Sequence, residues 1–121
     1  MGAPAVAAYL GMLAEIQRIS AADLARAAGV QSKYLWRMER GEIEQPGMQT
    51  ILRMVQHVRG SLDDVQTLLM GDSEPPAGRV VALAWAVRQG WMTREHADLF
   101  RTASQEELRA AAEYLRRLAD E

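Results

Sequence analysis

Cysteine is absent from the chain, so neither a disulfide framework nor a thiolate metal site is available to it. Histidine is nearly as scarce. His57 and His96 stand far apart without ligand-like spacing, and no metal or other cofactor is expected. Lys33 is the one lysine among fourteen cations, and the formal net charge is −2. That balance excludes a binder whose basic footprint covers a whole domain, so any positive surface has to be local. No apolar run approaches the ~20 residues that span a bilayer, and no membrane partner is expected. No Lys or Arg precedes Arg18, so the N-terminal stretch does not read as a secretory signal, and the expected compartment is the cytoplasm. Alternating apolar and polar residues are missing too, which argues against strands. No nucleophile–base pair and no phosphate-cradling glycine loop stands out, so an enzyme is not expected.

What is present is helical. Apolar residues make up 49% and charged residues 25% of 121 residues, a globular composition for one domain or a small domain with an appendage. Val6, Tyr9, Leu10, Leu13 and Ile16 recur at helical spacing and predict a first helix near 5–18. Ser20 with Asp23 forms a capping box for a short second helix carrying Leu24, Ala25 and Ala28, which Gly29 ends. A third helix is expected near 32–40, stopped by Gly41. Pro46 and Gly47 precede a fourth with Met48, Ile51, Leu52, Met54, Val55 and Val58. Ser61 with Asp64 repeats the capping box and opens a fifth with Leu62, Val65, Leu68 and Leu69. Residues 71–78 form a linker of Gly, Pro and small polar residues. Three further helices are expected near 79–90, 94–102 and 105–119, with Thr93 and Ser104 as caps and Glu107 completing a third box.

Residues 20–41 carry the most information. Two short helices meet at a tight turn, Gly29-Val30, and a small residue such as Ala25 lets them cross closely. At 100° per residue, Leu35 and Met38 fall on one side of the third helix. Lys33, Trp36, Arg37 and Arg40 fall on the other, with Ser32 at the margin. Such a rod fits a DNA major groove about 12 Å wide, where Arg and Lys reach guanine edges or phosphates. Trp36 has two readings at this point, as part of that face or as core under the C-terminal tail.

In Leu24-Ala25, Gly29-Val30, Leu35, Met38-Glu39-Arg40-Gly41, Pro46, Thr50-Ile51 and Ser61-Leu62-Asp63-Asp64-Val65, the chain resembles the phage-repressor-like (Xre/Cro-type) helix-turn-helix family. The match covers about residues 9–70. The resemblance implies a five-helix domain at 1–70 that docks as a dimer on two half-sites about one DNA turn apart. It implies base contacts at Ser32, Lys33 and Arg37, with Gln31 and Trp36 as neighbours. Three features depart from the family pattern. Ala21 stands where a phosphate-holding Gln is common. Glu42 and Glu44 occupy a loop that is often basic. Ala14 stands where an arginine of the first helix often pairs with the buried Glu matched by Glu39.

The expected fold class is therefore all-α: a five-helix helix-turn-helix domain, a linker at 71–78, and a small three-helix C-terminal extension at 79–121. The extension holds more apolar surface than three short helices can hide among themselves. Trp85, Trp91, Leu99, Phe100, Leu108 and Leu115 are its candidate dimerisation residues, against the alternative of packing onto helices four and five. The expected function is a transcriptional regulator, a repressor that binds an inverted-repeat operator in double-stranded DNA as a homodimer. Gln31, Ser32, Lys33, Trp36, Arg37 and Arg40 would form its DNA face. Two alternatives use the same fold to bind a protein: an antitoxin-like chain that also binds operator DNA while its tail neutralises a partner, and an adaptor that has lost DNA binding and binds protein through Trp36 and the acidic loop.

Overall fold

The computed structural model describes residues 2–43, 45–70, 78–90 and 92–100, together with Glu106, Ala110, Glu113 and Arg117, which are helical and exposed. It places seven helices in the described residues: α1 (Ala3–Ile16), α2 (Ala21–Ala28), α3 (Tyr34–Glu39), α4 (Met48–His57), α5 (Leu62–Met70), α6 (Arg79–Arg88) and α7 (Arg94–Phe100). No strand occurs among the described residues. The linker at 71–77, the acidic loop residue Glu44, and Ser104 with Glu107 lie outside them.

Helix α1 is the axis of the fold. It starts two residues earlier than periodicity suggests, because Pro4 suits the first turn, where no N–H is needed. From Ala3 to Ala14 none of its residues is exposed. The expected stripe is real for Val6, Tyr9 and Leu10, but the alanines that flank it and lie behind it, Ala3, Ala5, Ala7, Ala8 and Ala14, are buried as well. Ile16, by contrast, is 52% exposed, so the buried segment ends a turn before the stripe was expected to end. Helices α3, α5 and α6 cover α1 from different sides, while α2 crosses α4. A helix apolar all round has to be enclosed, and alanine lets its neighbours approach closely.

The C-terminal extension enters this same core. Val81, Leu83, Ala84, Trp85 and Ala86 of α6 and Ala97 of α7 join one buried cluster with Val6, Leu10 and Met12 of α1 and Leu68 of α5. Helix α6 packs mainly on α1 with α5 beside it; packing on α4 and α5 had been the expectation for a tail folded back within the chain. At the other end of the contact, Gly2 lies against the last turn of α5. A Cβ there would sit 2.8 Å from the Leu69 Cα, which is backbone and cannot yield.

Helix ends follow their local chemistry. Ser20 Oγ accepts from the Asp23 N–H at 3.1 Å, as a cap should, while the Asp23 carboxylate turns outward to Arg26 at 3.2 Å. Thr93 Oγ1 caps α7 by accepting from the His96 N–H at 3.2 Å. The start of α5 is built differently from the expected Ser61–Asp64 box. The Tyr9 hydroxyl sits between the two, accepting from the Ser61 N–H and donating to Asp64 Oδ2, both at 2.9 Å. Tyr9 from the core thereby fixes α5 to α1.

Four helix stops share one geometry, a left-handed residue followed by an N–H that reaches five residues back. Gly29 and Gly41 take this position after α2 and α3, with φ of 74° and 79°. After α1 and α4 the same position is held by Arg18 (φ 58°) and Arg59 (φ 55°), followed by Ile19 N–H to the Ala14 carbonyl and Gly60 N–H to the Val55 carbonyl. A side chain at left-handed φ costs about 1–2 kcal/mol, partly offset by the lower chain entropy lost on folding. Arg59→Gly should therefore raise stability by about 0.5–1 kcal/mol, measured as a shifted urea midpoint with an unchanged m-value.

Burial pushes the Tyr9 hydroxyl up to about 12, with the Asp64 bond and charge adding to the rise and the Ser61 N–H opposing it. Its folded-state value lies above the unfolded one, so this contribution is complete below pH 10 and disappears as pH climbs from 10 to 12. Tyr9→Phe should cost about 1–3 kcal/mol, because it strands the Ser61 N–H and Asp64. It should also flatten the alkaline limb of the stability profile between those two pH values. A variant with the parent's alkaline limb would show that Tyr9 does not cause it.

Candidate nucleic-acid interface

The turn between α2 and α3 sets the direction of the third helix. Gly29 N–H returns to the Arg26 carbonyl and Val30 N–H to the Ala25 carbonyl, closing α2. Tyr34 N–H then bonds the Gln31 carbonyl at 2.9 Å, so Ser32 and Lys33 form a turn ahead of α3 rather than its first residues. The helix itself has six residues, shorter than the 32–40 expected from periodicity. A helix that short has little stability of its own, and its orientation comes from what holds it.

Leu35 and Met38 hold it from below. Both are buried in the core that α3 shares chiefly with α1, and Ala25 of α2 is buried as well. The outward side carries Trp36, Arg37 and Arg40, all exposed, with Gln31, Ser32 and Lys33 exposed in the turn that leads into it. Trp36 is 51% exposed and belongs to this outer face rather than to the core. The Arg40 guanidinium lies over its ring, 4.4 Å from the centroid. That stacking leaves the planar donors of Arg40 in a defined position while the indole still faces out. Glu42, directly after Gly41, is also exposed.

The inward end of α3 holds a charged cluster whose members lie on three different helices. Glu39 is half-buried and meets Arg94, the first residue of α7, at 3.2 Å from Nε. The same guanidinium reaches Glu15 of α1 through Nη2 at 3.2 Å and pairs with Asp98 one turn along α7. Its side chain is only 19% exposed. Gly11 makes room for it, since a Cβ there would lie 3.1 Å from Nη2. The helix-one arginine that the family resemblance implied at Ala14 is thus replaced by an arginine arriving from the extension.

Burial raises the Glu39 carboxyl above its ordinary value. The charge of Arg94 opposes the rise, and Asp98 and Glu15 reinforce it. Taking the carboxylate out of water sets the direction, because the charged form loses more hydration than the Arg94 guanidinium returns.

Of the residues expected to mediate dimerisation, Trp85 is 3% exposed and spends its side chain within the chain's own core. Its ring has no surface left for a second copy. Trp91, Leu108 and Leu115, and the side chains of Leu99 and Phe100, lie outside the described residues. His57 and His96 are both exposed, and no group of metal-ligating side chains comes together among the described residues. No helix among them is long and apolar enough to cross a membrane.

A family model described as a helix-turn-helix domain matches residues 5–69, more than half of the chain. The chain belongs to that family, of the Xre/Cro-like kind. Comparison with curated proteins and with solved structures gives no match. The matched segment runs from the first turn of α1 to the end of α5, so α6, α7 and Arg94 fall beyond it. Membership in this family points to a DNA-binding regulator.

Because the folded-state value of Glu39 is raised, its contribution to stability is complete below about 4.5 and is lost as pH rises through the raised value. Acidification from neutral pH should therefore gain stability at this site. Glu39→Gln should stabilise the chain relative to the parent more at pH 7 than at pH 5. Urea midpoints of the two proteins against pH would check this, and a constant difference would contradict it.

Proposed function

We infer that the chain is a sequence-specific DNA-binding transcriptional regulator that lays α3 in the major groove. A single observation carries the reading: Leu35 and Met38 anchor a six-residue helix from beneath while Trp36, Arg37 and Arg40 stand exposed on its outer side. Lys33 and Ser32 extend that side toward the turn. Cations of this kind supply phosphate contacts and bidentate bonds to guanine, and the indole suits a thymine methyl or the sugar–phosphate edge. Specificity would rest on Ser32, Lys33 and Arg37. Arg40, braced on Trp36, would reach the backbone.

A single short helix offers three or four reading side chains, enough for one half-site. Useful specificity then calls for two copies on an inverted repeat about one DNA turn apart, which is the arrangement of a dimeric repressor. The role is one of binding, without catalysis. A second reading, a protein-binding adaptor that has lost DNA binding, is favoured by the exposed carboxylate of Glu42 beside the cationic face, which phosphate would disfavour.

Residues 1–70 hold seven cations and seven anions, so affinity should depend on few phosphate contacts. Selection from a random DNA pool with the full chain at low salt should yield an inverted repeat; recovery of no sequence would favour the protein-binding reading. On the selected DNA the salt dependence should be shallow, at about −0.9 per phosphate neutralised, and a log–log slope near −8 would contradict it. Arg37→Ala should cost about 1–3 kcal/mol and relax the preference at one base pair. Uniform weakening on all sequences would make Arg37 a phosphate contact instead.

A further inference from the structure

Helix α3 is held at three points: Leu35, Met38 and Glu39. The two apolar contacts fix how deeply it sits, but an apolar seat tolerates some rotation and sliding. The third contact is directional, a guanidinium bond to the last residue of the helix, one position before Arg40 and two after Arg37. Its donor is neither on α1 nor within the matched helix-turn-helix segment. It is Arg94 at the start of α7, which simultaneously bonds Glu15 on α1 and Asp98 on its own helix. One side chain therefore joins α1, the C-terminal end of α3 on its inner side, and the extension.

We propose that Arg94 is the positioning residue of the DNA-reading helix, and that the C-terminal extension, through it, sets the angle at which Arg37 and Arg40 meet DNA. The proposal rests on the reading of α3 as the DNA-contacting helix. Three features support it. Arg94 is four-fifths buried behind α3, out of reach of a duplex lying on the outer face. A cation at the N-terminal end of α7 opposes that helix's own dipole, a placement that the surrounding carboxylates offset. Without Arg94, Glu15, Glu39 and Asp98 would face one another with no counter-charge from that arginine, and Glu39 would swing out or take up a proton.

The test is a double-mutant cycle on DNA affinity with the full chain, using the sequence selected by the parent. Arg94→Gln should weaken binding roughly 5- to 30-fold, the size usual for coupling between linked sites. Glu39→Gln leaves Arg94 its bonds to Glu15 and Asp98, so it keeps the fold and should weaken binding to a similar degree. The two together should be no worse than the worse of them. The salt slope should not change, because Arg94 touches no phosphate. Val65→Ala, a cavity in the core away from α3, should lower thermal stability yet leave affinity within about twofold at temperatures where the chain is folded.

Parent-like binding by Arg94→Gln, or strictly additive losses, would overturn the proposal. So would a slope reduced by about 0.9, which would make Arg94 a phosphate contact. An equal loss in Val65→Ala would reduce the effect to general destabilisation. If the parent itself selects no DNA, the reading of α3 falls and the proposal falls with it, an outcome distinct from all of these.

Discussion

Between Ala3 and Ala14, helix α1 has no solvent-exposed residue, and the rest of the fold is arranged around that fact. An amphipathic helix needs a partner on one side. A helix buried on every side needs several, and each must come close enough to leave no void. The alanines of α1 make close approach possible, and α3, α5 and α6 supply the cover. It follows that α6 is part of the core that supports the reading helix, although the family match ends at residue 69. Trp85 illustrates the consequence. An indole in a candidate dimerisation segment is used up within the chain because the far side of α1 has to be closed.

Much of the helix-turn-helix segment was legible in the sequence, because its information is local. Ser20 with Asp23, Gly29, Gly41, and the opposition of Leu35 and Met38 to Arg37 and Arg40 all lie within a few residues of the features they specify. What periodicity could not show was a helix with two packing faces. Alanine scores weakly on any apolar stripe, so Ala3, Ala7 and Ala14 looked like filler beside Val6 and Leu10 although both sets are buried. The same bias extended the stripe to Ile16, where the neighbouring helices no longer reach. The Tyr9 hydroxyl was hidden for another reason. It stands between Ser61 and Asp64, a pair that in sequence alone looks complete.

The Arg94 cluster was illegible because it joins residues distant along the chain, Arg94 and Glu15 standing 79 positions apart. Two weak clues existed. Ala14 left Glu39 without the partner that the resemblance implied, and an arginine opened α7 at the helix end where a cation is least favoured. Each has a trivial explanation taken singly. They become one statement only when Gly11 is seen to provide the space through which the guanidinium passes.

That substitution also bears on charge. The first seventy residues are neutral, so the field at the outer face of α3 depends on where each anion points. Asp23 is engaged by Arg26, Asp64 by the Tyr9 hydroxyl, and Glu15 and Glu39 by Arg94 on the inner side. With those carboxylates turned away or paired, Arg37 and Arg40 face outward with Glu42 as the nearby opposing charge in the described part of the following loop. At physiological ionic strength charges separated by more than about 8 Å are largely screened, so this local sorting outweighs the formal total. An overall acidic chain can thus present a cationic edge, and it does so by drawing one arginine from outside the domain into the back of the helix that carries that edge.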